Sequence, residues 1–265
     1  MASIEWTTDG APLVGLVDEA TAVDADSGRQ TDLESIVAGA GGDVATGPID
    51  VLLERDLSML VAVGDSALLA AVRIGVDVPV LPVDAGRGVR SVPSNRLPAA
   101  LESVVDGSAL RQERPILVAD SGDDRARALL DVTLVTDEPA RISEYALRSR
   151  SEAVSQFRAD GVVVATAAGS YGYASDASGP LLAPGVEGVA VVPVGPFVTK
   201  TRRWILPDDD LSLSVEREGT VALLADGQTA ATLTAASTVT ISADETLSTL
   251  VVPESPPFFD AHSSA

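Results

Sequence analysis

The 265-residue sequence has no cysteine, one histidine (His262), one lysine (Lys200) and only 3% aromatic residues. Without cysteine there is neither a disulfide nor a thiolate metal site. The single histidine lies in the C-terminal tail, so a histidine-based triad or metal centre has no residues to draw on. Long apolar runs are missing too. The longest are of strand length, such as residues 162–165, against the ~20 residues of a membrane helix. Residues 1–10 carry Glu5 and Asp9 but no basic cluster, so they do not read as an export signal, and the cytoplasm is the expected compartment.

Charge of one sign dominates. Asp and Glu number 39 against 18 Lys and Arg, a formal net charge of −21. Such a surface repels a phosphate backbone, which argues against a nucleic-acid partner. The acidic runs Asp123-Asp124 and Asp208-Asp209-Asp210 read as solvated surface. Scarce lysine with abundant Asp, Ala, Val and Thr resembles the proteins of salt-accumulating halophiles, in which molar salt screens self-repulsion over a few ångströms. At 46% hydrophobic residues, the chain is rich enough to fold around a core.

Along the first hundred residues, short apolar runs alternate with helix-like segments. Residues 12–17, 51–53, 59–63 and 78–83 read as strands. Residues 32–39, 66–75 and 97–105 read as helices, the second ending at Gly75 with Arg73 in its last turn. This alternation predicts an open, mostly parallel sheet covered by helices, over residues 1–107. Beyond Gly107 the pattern changes to successive strands at 129–135, 142–149, 161–166, 188–194, 211–215, 221–224, 232–241 and 247–252, separated by turns rich in Gly, Asp and Pro. A β-rich second domain over 108–252 is expected, then a tail, 253–265, in which Phe258 and Phe259 are able to dock.

Two segments carry candidate chemistry. Val63-Gly64-Asp65-Ser66-Ala67 lies where a strand runs into a helix. A helix N-terminus there would aim its amides at an anion, with Gly64 allowing close approach of a phosphate and Asp65 beside it as a base or magnesium contact. The other reading is a plain turn with Asp65 and Ser66 as helix caps. The second segment runs from Asp160-Gly161 through a buried strand into Thr166-Ala167-Ala168-Gly169-Ser170-Tyr171-Gly172-Tyr173 and closes at Ser178-Gly179-Pro180. Small residues beside an aromatic hydroxyl suit a ligand pocket. Arg202-Arg203 beside Lys200 is the one basic cluster, open to a phosphate or to neighbouring acids, and Trp204 reads as packing.

The second segment resembles the NAD kinase signature, a strand opening with Asp-Gly and followed by Thr-Pro-Thr-Gly-Ser-Thr-Ala-Tyr and Gly-Gly-Pro. Asp160, Gly161, Thr166, Gly169, Ser170, Tyr173, Gly179 and Pro180 match it. The first segment resembles that family's Gly-Gly-Asp-Gly-Thr loop at Gly64 and Asp65. Residues 79–92, with Gly86-Arg87-Gly88, are similar to the stretch that follows the loop. Pro193, Pro207-Asp208-Asp209 and Asp226-Gly227-Gln228 fall in the family's order, so the resemblance spans about residues 12–252.

The resemblance implies an α/β domain followed by a β-rich, sandwich-like NAD-binding domain. It implies transfer of phosphate from ATP or polyphosphate to the 2′-hydroxyl of NAD's adenosine ribose, with a divalent metal, usually Mg2+. Asp65 would be the base, with Gly64, Ser66 and Arg87 on the donor side. Asp131, Thr166, Ala168, Gly169, Ser170, Tyr171, Gly172, Tyr173 and Asp176 would line the dinucleotide site, and Asp160 would approach the nicotinamide. A homo-oligomer, dimer or tetramer, assembled through the second domain is implied as well. This chain departs from the pattern at Val63, Ser66 and Ala67 in the loop. It departs again at Leu130-Asp131, which falls on the family's Asn-Glu pair. Two functions are therefore carried forward: an active NAD kinase, or a catalytically weakened relative that binds dinucleotide. A kinase of another acceptor shares the Gly-Gly-Asp-Gly loop, but the Gly-Ser-Tyr-Gly-Tyr segment at 169–173 belongs to dinucleotide recognition.

Thermal unfolding followed by circular dichroism in molar and in dilute KCl checks the salt reading. The midpoint is expected to fall as salt is withdrawn, and full stability in dilute buffer would remove the halophile interpretation.

Overall fold

The computed structural model describes residues 3–7, 10–18, 27–137, 142–198 and 201–259. In chain order the strands and helices are β1 (Ser3–Glu5), β2 (Leu13–Asp18), α1 (Ser27–Gly39), β3 (Asp43–Thr46), α2 (Ile49–Leu52), β4 (Met59–Val63), α3 (Gly64–Ile74), β5 (Val80–Val83), α4 (Leu97–Val105) and β6 (Leu110–Asp120). They continue as β7 (Arg125–Ala128), β8 (Asp131–Thr136), β9 (Ser143–Ser149), β10 (Glu152–Ala159), β11 (Gly161–Ala165), α5 (Tyr173–Asp176), β12 (Val189–Val194), β13 (Trp204–Leu206), β14 (Leu211–Val215), β15 (Val221–Ala225), β16 (Gln228–Leu233) and β17 (Thr238–Val251). Two compact units result. One comprises Met1–Arg114 and Leu247–Ala265, the other Pro115–Thr246.

In the first unit, β3, β2, β4 and β5 lie side by side in parallel, and the end of β17 joins them through Thr249 opposite Val80, also in parallel. Val61, Leu81 and Leu250 pack in one core with Leu97, Leu101 and Val104 of α4 and Leu33 and Val37 of α1. Strands β4 and β5 are buried almost throughout, as expected of parallel strands covered by helices. Helix α3 stops at Gly75, which takes the left-handed conformation (φ 77°) and bonds back to Ala71 and Val72, so the expected C-terminus is met.

The second unit is antiparallel throughout its named pairs. One sheet runs β10-β9-β14-β17, the other β13-β12-β11-β8-β15-β16. Tyr145, Leu147, Leu211, Leu213 and Val239 of the first sheet share a core with Val132, Leu134, Val162, Val164 and Leu223 of the second, which makes the expected sandwich. Strand β11 is buried on both faces. Val162 and Val164 point into that core, while Val163 and Ala165 pack with Ala174 and Leu182 of the segment that follows. Its run of apolar residues without alternation is the sequence signature of this double burial.

The structure corrects several boundaries. Residues 51–53, expected as a strand, belong to a helical turn. Pro48 precedes it, and Ile49 and Leu52, three apart, are its buried pair while Val51 is exposed. The expected strand 232–241 is two strands, β16 and β17, divided at Ala236, which has φ 66°. Residues 247–252 are not separate but continue β17. Strands β1, β3, β6, β7, β10 and β13 were not expected as such; β10 and β6 carry polar residues on much of their length, which masks the alternation.

Among the described residues no helix is long and apolar enough to cross a membrane. Leu250 is fully buried and Val51 is 54% exposed. Denaturant unfolding at molar KCl should therefore show Leu250→Ala costing about 2–5 kcal/mol and Val51→Ala within about 0.5 kcal/mol. Equal small effects would place β17 outside the core.

Candidate functional site

The expected site residues fall into two groups, one in each unit. In the second unit the site forms where the end of β11 meets the start of β8, with Ala165 opposite Asp131. The peptide of Leu130 is gripped here from both sides. Its N–H donates to Asp226 Oδ1 at 2.7 Å. Its carbonyl accepts the Thr166 N–H at 3.0 Å and the Thr166 hydroxyl at 3.2 Å. Gly169 lies so close to that carbonyl that a Cβ would overlap its oxygen, which is why a residue without a side chain stands there.

Thr166 and Ser170 are buried, and their hydroxyls are engaged inside the turn. Thr166 Oγ1 donates to Leu129 O at 2.7 Å and accepts the Gly169 N–H at 3.2 Å. Ser170 Oγ donates to Ala167 O at 2.7 Å and accepts the Leu182 N–H at 3.1 Å. Both were expected among the binding residues; the geometry has them building the turn. Tyr173, Gly172 and Asp176 are exposed at its far end, Tyr171 is half-buried and Ala168 is buried. Arg203 braces α5 by donating to Ala177 O at 3.1 and 3.3 Å.

The electrostatics of this group are acidic. Burial is the first cause that raises the Tyr173 hydroxyl above its ordinary pKa, followed by the charges of Asp131, Asp160 and Asp176. Burial likewise raises Asp131, against the opposing hydrogen bond from Thr133 Oγ1 at 2.9 Å. Asp160 is half-buried against Gly195, where any Cβ would overlap its carboxylate.

Asp226 was noted in sequence only as part of an Asp-Gly-Gln match, yet it organises the site. It begins the two-residue turn between β15 and β16, with φ 49° and Gly227 at φ 76°. Asp-Gly in left-handed conformation is the favoured chemistry of such a hairpin, and that was the signal available in sequence. Its carboxylate accepts the N–H groups of Leu129, Leu130 and Asp131 at 2.8, 2.7 and 3.1 Å. Burial nevertheless pushes its pKa up to about 6, with Asp131 adding to the shift and the three donors opposing it.

In the first unit, Gly64 (φ 82°) opens α3 and Asp65 stands exposed in its first turn. No side chain caps this helix. Asp65 Oδ1 instead accepts the N–H of Gly86 at 2.7 Å, so the capping reading of Asp65 gives way to a bond with the loop after β5. Ser66 is exposed and Ala67 buried. Arg87 lies in the single helical turn Arg87–Val89 of that loop, and its side chain is outside the described residues, as are His262 and Lys200. No group of three or more His, Asp and Glu able to hold a metal occurs among the described residues.

Comparison with known proteins places these residues in context. The family model described as ATP-NAD kinase C-terminal domain matches residues 129–251. The NAD kinase of Chlorobium limicola is 30% identical over 231 residues, covering 84% of this chain and 80% of that protein. The NAD kinase of Methanoculleus marisnigri is 26% identical over 258 residues, 94% and 95% of the two chains. Among solved structures, yeast NADH kinase complexed with NADH superposes with a TM-score of 0.76 at 18% identity, covering 92% of this chain and 84% of that one. An NAD kinase from Archaeoglobus fulgidus in complex with ATP gives 0.74 at 21% identity, covering 91% and 94%.

The Asp226 carboxyl is expected to titrate near pH 6 in carbon-detected NMR; a midpoint near the ordinary value of about 4 would show it solvated. Because the folded pKa is raised, the stability this group contributes is complete below about pH 4 and is lost as pH rises through 6.

Proposed function

The chain belongs to the NAD kinase family, and we propose that it transfers phosphate from ATP or polyphosphate to the 2′-hydroxyl of the adenosine ribose of NAD, forming NADP in the cytoplasm. The observation that carries this reading is the exposed Asp65 carboxylate, held by Gly86 N–H at the head of an uncapped helix. One oxygen is anchored and the other is left for the ribose hydroxyl. As the 2′-oxygen bonds to the terminal phosphorus, its proton passes to Asp65 and the bond from that phosphorus to the leaving oxygen of the donor breaks. The free amides of the first turn of α3 suit the donor's phosphates. Positioning and charge neutralisation supply most of the rate in such transfers.

The dinucleotide belongs to the second unit. Ala168, Gly172, Tyr173 and Asp176 line its site in this reading, with Tyr171 beside them. Asp160 faces the nicotinamide, and Asp131 accepts from a ribose hydroxyl. Thr166, Gly169 and Ser170 shape the turn. Magnesium would be held by the donor's phosphates with the exposed Asp65 carboxylate at the head of α3 as the adjacent oxygen ligand. When bound it neutralises phosphate charge. The exposed apolar residues Phe197, Val198 and Ile205 support assembly into a homo-oligomer through the second unit.

The second reading, a dinucleotide-binding module with weakened catalysis, is favoured by Leu130, whose side chain makes no amide hydrogen bonds, and by Ser66 and Ala67 in the loop. Purified protein in molar KCl with NAD, magnesium and either ATP or polyphosphate separates the two. NADP formation that stops when the donor is omitted supports the kinase. Folded protein that binds NAD without turnover supports the module. Asp65→Asn is expected to lower kcat by about 100-fold or more, and a fully active variant would remove Asp65 as the base.

A further inference from the structure

Arg114, in β6, is 4% exposed and has no acidic partner among the described residues. The ion pairs among the described residues join other side chains, and the neighbouring charge that acts on Arg114 is Arg90, also positive. Burial and Arg90 push its pKa down to about 10. A buried cation without a counter-charge is costly to a fold, and in a chain of net charge −21 acidic partners are abundant. Its contacts show what it holds instead. Nη2 donates to Val89 O at 2.8 Å, Nη1 to Gly88 O at 3.4 Å, and Nε to Thr249 Oγ1 at 3.1 Å. The Thr249 hydroxyl in turn donates to Gln112 O at 3.1 Å.

The two carbonyls belong to the loop after β5, which is under backbone strain. Asp84 and Arg90, at its ends, both have positive φ, 48° and 58°. From Arg114 a chain of hydrogen bonds runs through that loop to the carboxylate at the head of α3. Arg114 holds Val89 O, Val89 N–H donates to Gly86 O at 3.2 Å, and Gly86 N–H donates to Asp65 Oδ1 at 2.7 Å. We propose that Arg114 is a positioning residue for phosphoryl transfer: its guanidinium fixes the Gly86–Val89 turn and thereby the orientation of the Asp65 carboxylate. This rests on the kinase reading, in which Asp65 takes the ribose proton. Arginine is required rather than lysine because only a planar fork reaches two adjacent carbonyls and the threonine hydroxyl together.

Arg114→Lys keeps the charge and removes the fork, and Arg114→Met removes both. In Arg114→Lys the Gly86 amide is expected to exchange hydrogen about tenfold faster or more, with β4 amides unchanged. Its kcat is expected to fall about 10- to 100-fold, with KM for NAD within about twofold. In an Asp65→Asn background the same substitution should lower the residual rate no further. Unchanged Gly86 exchange in Arg114→Lys, or a full additional loss of rate in the double variant, overturns the proposal. If Arg114→Met fails to fold, Arg114→Lys decides alone. If wild-type protein makes no NADP, the kinase reading fails, while Gly86 exchange in Arg114→Lys and in Asp65→Asn still decides whether Arg114 holds the carboxylate through the loop.

Discussion

The second unit's candidate site depends on one peptide group. The Leu130 N–H and carbonyl are taken by Asp226 and Thr166, residues from a hairpin turn and from the end of a neighbouring strand. Gly169 then lies against the same carbonyl. Three segments distant in sequence thus meet through backbone rather than through the side chain at 130. That division has a chemical consequence. The turn does not depend on a polar side chain at 130, because the bonds that hold it go to the Leu130 backbone.

Charge sets the second constraint. Asp131, Asp160 and Asp176 all act on Tyr173, in a chain already strongly acidic. Burial moves Asp131 and Asp226 in the direction of their protonated forms, which lessens the repulsion that three or four nearby carboxylates would otherwise impose. In the first unit the imbalance has the opposite sign. There the guanidinium of Arg114, without an acidic partner among the described residues, is buried beneath a strained loop and held by carbonyls and a hydroxyl.

Much of the fold was legible in sequence because its strongest signals are local. The run at 59–63, the helix at 97–105 and the strand at 211–215 match the structure residue for residue. The turn at 166–173 stood out through its glycines and tyrosines. Less legible was whatever depends on contacts far along the chain. Val51 looks like a strand residue by its type, and only the burial of Ile49 and Leu52 makes the segment helical. Thr166 and Ser170 read in sequence as binding residues, and the bonds to Leu129 O and Leu182 N by which they also build the turn have no local trace. Asp226 is separated from Leu130 by most of the second unit, so its acceptor role had no local trace beyond the Asp-Gly hairpin.

The first unit is interrupted: its chain leaves at Arg114 and returns only at Leu247, while Pro115–Thr246 is continuous. A ribosome delivers residues from the N-terminus onward, so the second unit is complete in sequence while the first still lacks the strand that lies beside β5. The edge of β5 is therefore covered only once Pro115–Thr246 has been made, and Val80 awaits its neighbour until residues 247–251 are in place.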